Sequence, residues 1–219
     1  MEEELKVWHD KKKAERTIKN LQKNLFEAVY LENGKQAFEH IMKMVSKDIC
    51  IGMGDSYTLH EIGVIQELKT KGYDLLNPWK KGITRAESLD LRRKALTSDI
   101  FLTGTNAVTM DGKLVSTDGL GNRVAGMIFG PLKVVVVAGV NKIVADVAEA
   151  LNRIKNIAAP INARKHDFKP PHRSPCADTG FCSRCRPSQS MCNKTVIIEG
   201  CSRDQGRMTV IIIGEELGY

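Results

Sequence analysis

Short runs with the character of buried strands alternate along this chain with segments of helical periodicity. Residues 133–138 (KVVVVA) are the clearest strand, because a continuous β-branched run is typical of a strand buried on both faces. Further strands are predicted at residues 48–53, 73–76, 99–103 and 208–213, and helices at residues 35–47, 62–68, 86–96 and 144–154. This order predicts an α/β fold with a mostly parallel sheet flanked by helices.

A long helix is predicted ahead of the alternating region. Its apolar residues recur at spacings of three and four, and Glu32-Asn33-Gly34 is typical of a helix end. These apolar residues are Ile18, Leu21, Leu25, Phe26 and Val29. We interpret residues 1–219 as a single domain, with N-terminal helices at 1–47, an α/β core at 48–157, a basic cysteine-rich segment at 158–194 and C-terminal strands at 195–219.

An inserted β-hairpin is predicted at residues 108–116 (VTMDGKLVS). Its residues alternate around Asp111-Gly112, a dipeptide that favours a tight two-residue turn. The hairpin begins where the chain leaves the carboxyl end of the strand at residues 99–103. Open α/β sheets form their ligand sites at this edge, so we expect a binding site beside the hairpin.

Polar and glycine-rich loops follow three of the predicted strands. Residues 52–58 (GMGDSYT) could bring backbone N–H groups to an anion or form a tight turn capped by Ser56. Residues 103–106 and 117–123 flank the hairpin, where Arg123 begins an apolar helix at a position that suits an anion. Lys142 follows the third strand, as either a ligand cation or a solvated lysine.

Four cysteines lie within seventeen residues in the pattern C-x5-C-x2-C-x6-C, namely Cys176, Cys182, Cys185 and Cys192. A Cys-x2-Cys pair places two thiolates on one metal, and four cysteines complete a tetrahedral set. Zinc ribbons usually contain two such pairs, whereas the plant-type iron–sulfur pattern Cys-x4-Cys-x2-Cys differs by one residue in its first gap. The pattern predicts a metal site, with an iron–sulfur cluster slightly favoured over zinc. Cys201 is a spare candidate ligand, and Cys50 is assigned to packing.

The positive charge of the chain is concentrated around these cysteines. Residues 153–194 contain nine basic and two acidic residues, which equals the net charge of +7 of the whole chain. A basic segment with four cysteines is also typical of nucleic-acid-binding zinc ribbons, so that class stays open as an alternative. Against it, the only aromatic residues of the segment are Phe168 and Phe181. Part of the charge is expected to balance metal-bound thiolates.

The chain contains no apolar run near the ~20 residues that a membrane span requires. Its first residues lack the apolar stretch of a secretory signal and the composition of a transit peptide. We therefore expect a cytoplasmic protein with no membrane partner.

Residues 103–131 (TGTNAVTMDGKLVSTDGLGNRVAGMIFGP) and 133–142 (KVVVVAGVNK) closely resemble the signature of the LUD domain, named for lactate utilisation. Residues 52–58 resemble the amino-terminal glycine turn of that family, and the resemblance extends from about Leu21 to the end. The cysteine pattern resembles the stand-alone branch of the family. The resemblance implies a bacterial protein with a fold like the NagB/RpiA/CoA-transferase group, a Rossmann-like sheet with an inserted hairpin.

The resemblance also implies a class of ligand. LUD proteins are associated with bacterial oxidation of lactate to pyruvate alongside iron–sulfur subunits, and relatives of the wider fold bind phosphosugars or acyl-CoA at strand ends. The implied ligand is a small anion such as a hydroxy acid, a phosphosugar or a CoA-like molecule, neutralised by Arg123. The implied binding residues are Gly52, Gly54, Asp55, Ser56, Asn106, Asp118, Asn122, Arg123 and Lys142.

No catalytic residue is predicted, because no CoA-transferase nucleophile and no Ser/His/Asp or Cys/His arrangement is identifiable. Catalysis itself is therefore left open. The remaining alternative is a non-catalytic partner subunit of an iron–sulfur oxidoreductase, with the long first helix binding other proteins. Assembly into a homo-oligomer is also left open.

Overall fold

The computed structural model describes residues 1–183 and 185–219 of the chain. Its helices are α1 (Glu2–Lys23), α2 (Gly34–Met42), α3 (Tyr57–Glu61), α4 (Val64–Thr70), α5 (Arg85–Lys94), α6 (Asn122–Ile128), α7 (Val147–Arg153), α8 (Ala159–His166) and α9 (Cys176–Thr179). Its strands are β1 (Glu27–Leu31), β2 (Ile51–Met53), β3 (Leu75–Leu76), β4 (Ile100–Gly104), β5 (Ala107–Thr109), β6 (Leu114–Asp118), β7 (Lys133–Gly139), β8 (Ile143–Val144), β9 (Lys194–Ile198) and β10 (Met208–Ile213).

A six-stranded parallel sheet forms the centre of the molecule, in the order β1-β10-β7-β4-β2-β3. Helices cover both of its faces, and the predicted α/β fold is confirmed. Successive residues of β7 point to opposite faces, so Val134 and Val136 join one apolar core while Val135 and Val137 join the other. All four valines are fully buried, and each contributes roughly 1.5 to 3 kcal/mol by leaving water.

The predicted hairpin is present, since β5 and β6 pair antiparallel around the turn at Asp111 and Gly112. Gly112 has a φ of 86°, and a Cβ there would lie 2.5 Å from the backbone of Asn20. The hairpin belongs to a second, four-stranded sheet in the order β8-β5-β6-β9. Pairing of β9 with β6 brings the chain after the last of the four cysteines back to Asp118.

The first helix is shorter than predicted. Helix α1 ends at Lys23, and Val29, which was assigned to the helical stripe, lies in β1. Leu25 has a φ of 66°, which no α-helix contains, so three residues separate the helix from the strand. Pairing of β1 with β10 along the sheet edge outweighs the helical periodicity of these residues.

Residues 214–219 cross the carboxyl ends of the central strands. The backbone N–H of Gly218 donates to Oε2 of Glu61 at 2.6 Å, and its carbonyl accepts from Nδ2 of Asn141 at 3.2 Å. The hydroxyl of Tyr219 donates to Oδ1 of Asn162 in α8 at 2.9 Å. The segment therefore links the strand ends to the helical layer.

None of the helices within residues 1–183 and 185–219 is both long and apolar enough to cross a membrane.

Candidate functional site

A cleft of about 650 Å³ opens beside the carboxyl ends of β4 and β7 and the loop after β2. Clefts of about 300 to 1,000 Å³ are the usual size for small-molecule sites. Seven of the nine predicted ligand-binding residues line it, namely Asp55, Ser56, Asn106, Asp118, Asn122, Arg123 and Lys142. The topology therefore brings together loops that are far apart in sequence, from Asp55 after β2 to Lys142 after β7.

The two predicted glycines lie beneath the cleft and do not line it. Gly52 is inside β2, where a Cβ would lie 2.6 Å from Oγ of Ser98. At Gly54 a Cβ would lie 2.5 Å from Oγ1 of Thr103 and 3.0 Å from Cγ of Arg123. Gly54 thus permits close packing under Arg123, and neither glycine is placed to bring its backbone to a ligand.

Arg123 is the most extensively hydrogen-bonded side chain of the cleft. Its Nε donates to Oδ1 of Asp118 at 2.8 Å, and Nη2 donates to Oδ1 of Asn106 at 2.8 Å. Further bonds reach the carbonyl oxygens of Thr117 and Gly104 at 2.9 and 3.2 Å. The other carboxylate oxygen of Asp118 accepts from the backbone N–H of Arg123 at 2.9 Å.

The Arg123–Asp118 ion pair is internal and nearly dry, since the two side chains are 11% and 10% exposed. A buried charge requires a partner of opposite sign, and Asp118 provides it here. The arrangement fixes Asn106, Asp118 and the loop between them. Neutralisation of a ligand by Arg123 stays a prediction, and the structure gives this guanidinium a carboxylate partner of its own.

Lys142 presents a contrasting environment at the end of β7. The side chain is buried, and Nζ donates to Oγ1 of Thr58 at 3.0 Å. Burial, followed by repulsion from Arg153 and Arg123, lowers the pKa of Lys142 to about 7, with Glu61 acting weakly in the opposite direction. Because this pKa lies near neutrality, Lys142 can gain or lose a proton when a charged ligand enters.

A second buried cation lies behind the cleft and was not among the predicted residues. Arg153 ends α7, and it donates from Nη1 to the carbonyl oxygen of Asn106 at 2.7 Å and from Nε to that of Asn141 at 3.2 Å. Burial lowers its pKa. Arg153 lies three residues after the buried Ala150, so the two side chains share the inward face of α7.

Asp55 occupies the rim of the cleft and is paired with basic residues of α8. Its carboxylate accepts from Nζ of Lys165 at 2.9 Å and lies 3.0 Å from Nε2 of His166. Burial alone would raise the pKa of Asp55, but His166 and Lys165 together hold it well below its usual range. Ser56 caps α3 by accepting from the backbone N–H of Leu59 at 3.3 Å.

Aromatic and basic side chains form the outer wall of the cleft, and sequence patterns did not indicate them. The guanidinium of Arg92 lies 5.1 Å from the ring centroid of Trp79, within the range of a cation–π contact. The ring of Tyr219 lies 5.7 Å from that of Tyr57 and is tilted by 34° relative to it, and Arg85 also lines the wall. These residues come from separate elements, so only the folded chain assembles them.

A family model for the LUD domain matches residues 14–213 of this chain. The chain belongs to the LUD domain family. The match includes every element from the second half of α1 to β10, and with it the cleft and the cysteine segment, which we define as residues 176–192.

The fold of this LUD domain is also found in a solved structure. A DUF162 family protein from Deinococcus radiodurans is similar, with a TM-score of 0.52 and 13% sequence identity, covering 93% of this chain and 97% of that one. A second structure, eIF2B delta from Chaetomium thermophilum, has a TM-score of 0.34 and 12% identity over 54% of this chain and 50% of its own, which is too distant for an argument. No curated protein matches the chain.

In the cysteine segment of the LUD domain, neighbouring thiols change one another's pKa values. Burial, and then the thiols of Cys176, Cys182 and Cys185, raise the pKa of Cys192 to about 11. Burial and the neighbouring thiols of Cys185 and Cys182 likewise raise the pKa of Cys176. Cysteine sulfur is the usual ligand of zinc and of iron–sulfur clusters, so the chemistry of these four donors suits either group. Across residues 1–183 and 185–219, no three His, Cys, Asp or Glu side chains stand in a ready-made ligand geometry.

Proposed function

We propose that this LUD domain binds a small anion in the cleft and that the ammonium group of Lys142 forms the ion pair with it. The observation that carries this proposal is the pair of buried cations, Lys142 and Arg153, for which the described residues offer hydrogen bonds to neutral oxygens and no ion pair. A buried cation without a counter-ion costs free energy. An anionic ligand would pair with these cations and remove that cost, which would increase its affinity for the cleft.

The groups around Lys142 suit a ligand with several oxygen atoms. Oδ1 of Asn106 already accepts from Thr117 and Arg123, so the amide nitrogen of Asn106 is the atom left to bind a ligand oxygen. Arg85, at the outer wall, suits a more distant negative group. A hydroxy acid, a phosphosugar or the phosphate end of a CoA-like molecule fits this chemistry.

The test is calorimetric titration of the protein with L-lactate, ribose 5-phosphate and coenzyme A. We expect at least one of them to bind, and Lys142→Met to weaken its binding by at least about tenfold, which is ~1.4 kcal/mol. Lys71→Met is the matched control, because Lys71 is exposed at the end of α4 and is absent from the cleft lining. Equal affinities of the wild type and Lys142→Met would overturn the proposal.

For the biological role, we propose a link to bacterial lactate oxidation. Support comes from membership of a family named for lactate utilisation and from a cleft whose charge suits a 2-hydroxy acid or a 2-oxo acid. Selective binding of L-lactate or pyruvate over ribose 5-phosphate in the same titrations would support this link. Binding of the phosphosugar alone would contradict it.

For the cysteine segment, we propose a metal held by Cys176, Cys182, Cys185 and Cys192. An iron–sulfur cluster would supply electron transfer there, and zinc would fix the conformation of the segment. The visible absorption spectrum and metal content of anaerobically purified protein distinguish the two. Broad visible absorbance with iron and sulfide indicates a cluster, a colourless protein with stoichiometric zinc indicates the structural ion, and a metal-free protein contradicts the proposal.

A partner-subunit role is a second candidate, and exposed apolar residues favour it. Phe129 and Leu132 are 84% and 75% exposed, and Trp8 in the first half of α1 is 59% exposed. Groups of exposed large apolar side chains mark protein interaction surfaces. Light scattering of the full chain and of Trp8→Glu tests self-association through the exposed part of α1, and an equal mass for the two proteins would argue against α1 as the contact surface.

A nucleic-acid interface has less support, because much of the basic segment is paired internally. Arg173 forms ion pairs with Asp167 and Asp178, while Lys165 pairs with Asp55. Arg153 is buried. Arg164 and Lys169 also form ion pairs, with Asp178 and Asp167, so these five of the nine basic residues are less available to phosphates. Weak retention on heparin at low salt is the expected result.

A further inference from the structure

The cysteine segment forms part of the cleft wall. Four residues that lie between Cys185 and Cys192 line the cleft, namely Pro187, Ser188, Ser190 and Met191, and Asn193 adjoins them. The thiols and the ligand cavity therefore share one stretch of backbone. A change in the conformation of this stretch changes the shape of the cleft.

The same stretch packs against the loop that contains the Arg123–Asp118 pair. The backbone N–H of Asn193 donates to the carbonyl oxygen of Asp118 at 2.9 Å, and Nζ of Lys194 donates to that of Gly119 at 2.8 Å. A Cβ at Gly119 would lie 3.5 Å from the backbone of Met191, so the two segments are in van der Waals contact. Cys192 is thus one residue from a direct hydrogen bond to the opposite wall.

Apolar contacts give this wall little anchoring. Its apolar support is a small cluster in which Met191 packs against Ala163, Cys176 and Ala177. Besides the bonds of Asn193 and Lys194, it is held by a bond between Nδ1 of His172 and the carbonyl oxygen of Ser188 at 3.1 Å and by one from the Ser174 hydroxyl to the carbonyl oxygen of Gln189. Segments with few buried apolar contacts open at low free-energy cost.

We propose that the cysteine segment is a metal-dependent wall of the cleft, so that occupancy of the four cysteines controls the affinity of the cleft for anions. The inference rests on both parts of the proposed function. Joining Cys176 and Cys192 through one centre closes the intervening loop and removes the conformations in which residues 187–193 leave the cleft. The ligand then binds a wall that is already ordered, so the binding free energy is not reduced by the entropy lost in ordering the wall.

Thermodynamic linkage requires the effect to be reciprocal. If metal occupancy increases anion affinity, a bound anion increases metal affinity by the same factor. Couplings of this kind are typically about 5- to 150-fold. Two independent measurements, one of the anion and one of the metal, must therefore agree.

The first measurement is the dissociation constant of inorganic phosphate and of L-lactate, determined by calorimetry. It is made on metal-loaded wild type, on the same protein after chelation, and on Cys192→Ser. We expect affinity to fall at least about fivefold on chelation and equally in Cys192→Ser. Cys50→Ser is the matched control, because Cys50 precedes β2 and lies outside the segment, and it should match the wild type.

The second measurement is the affinity for the metal, determined by competition with a chelator at equilibrium, with and without saturating phosphate or L-lactate. Tighter metal binding with the anion is expected, by the same factor. Equal anion affinity of loaded and chelated protein, or a metal affinity that the anion leaves unchanged, would overturn the inference. A protein that binds anions and no metal overturns it together with the metal proposal, whereas one that binds metal and neither anion overturns it together with the cleft proposal.

Discussion

Arg123 and Lys142 line the same cleft in opposite electrostatic environments. Arg123 has an internal carboxylate partner and four hydrogen bonds, whereas Lys142 is buried with a threonine hydroxyl as its acceptor. A buried cation that forms an ion pair within its own chain stabilises the fold. A cation that lacks an acid is costly to the fold and available to a ligand. The pairing of each charge, more than its presence in the cleft, therefore indicates its role.

The largest expected effect is a loss of stability in Arg123→Met. This substitution leaves Asp118 as a buried carboxylate without its ion partner, which costs about 3 to 5 kcal/mol. Urea unfolding measures the change. Arg16→Met is the control, because Arg16 is exposed on α1, and it should stay within about 0.5 kcal/mol of the wild type. An unchanged unfolding midpoint for Arg123→Met would show that the ion pair does not support the fold.

The next effect concerns pH and ligand affinity. The pKa of Lys142 is about 7 in the free protein, so Lys142 is charged in mildly acid solution and neutral in alkaline solution. If the anion binds the charged form, its affinity falls by up to about tenfold per pH unit above neutrality. Calorimetry of L-lactate from pH 6 to 9, in about one-unit steps, measures this. Lys142→Arg should abolish the slope, and a slope that persists in that variant would assign it to another group.

Lys142→Met is expected to increase the stability of the fold, whereas Arg123→Met decreases it. The effect of Lys142→Met is the smaller of the two. The pKa of Lys142 is lower in the folded chain than its ordinary value of 10.5, so the folded state disfavours the charged form. The penalty is complete below pH 7 and disappears as pH rises towards the ordinary value. Lys142→Met should therefore gain about 1 kcal/mol at pH 6 and less at pH 9. A loss of stability at both pH values would contradict this account.

The smallest effect is expected for Asp55→Asn. Its carboxylate pairs with Lys165 and His166, and its pKa is held low, so the pairs stabilise the fold above the ordinary aspartate value of 3.8 and lose their effect in more acid solution. We expect a loss of about 0.5 kcal/mol at pH 7 that vanishes at strongly acid pH. Thermal unfolding at the two pH values measures it. A loss of equal size at both would rule out an electrostatic origin.

The sequence predicted the sheet well because burial on both faces leaves a distinct pattern. The valines of β7 and the isoleucines of β10 form continuous apolar runs, and both are central strands. β1 escaped detection because its residues continue the apolar spacing of α1, and only pairing with β10 distinguishes them. Local periodicity contains no information about a partner strand that lies about 180 residues away in the sequence.

The cleft could be predicted in position and less well in detail. Loops at the carboxyl ends of strands meet at one edge, which is why Asp55, Asn106 and Lys142 were expected together. Whether a cation is paired depends on distances that the sequence does not contain, as the difference between Arg123 and Lys142 illustrates. Trp79 and Tyr219 line the cleft from other layers of the fold, and Arg153 lies behind it, so motif spacing could not indicate these residues.

The position of β10 has a consequence for synthesis of the protein. β10 lies between β1 and β7, so the sheet has a missing inner strand until residue 213 has been made. During translation β1 has no neighbour in the sheet, and the edge of β7 exposes unpaired backbone groups and apolar valines. Such edges associate readily with other chains. A nascent chain of this protein should therefore depend on chaperones until its last strand is released.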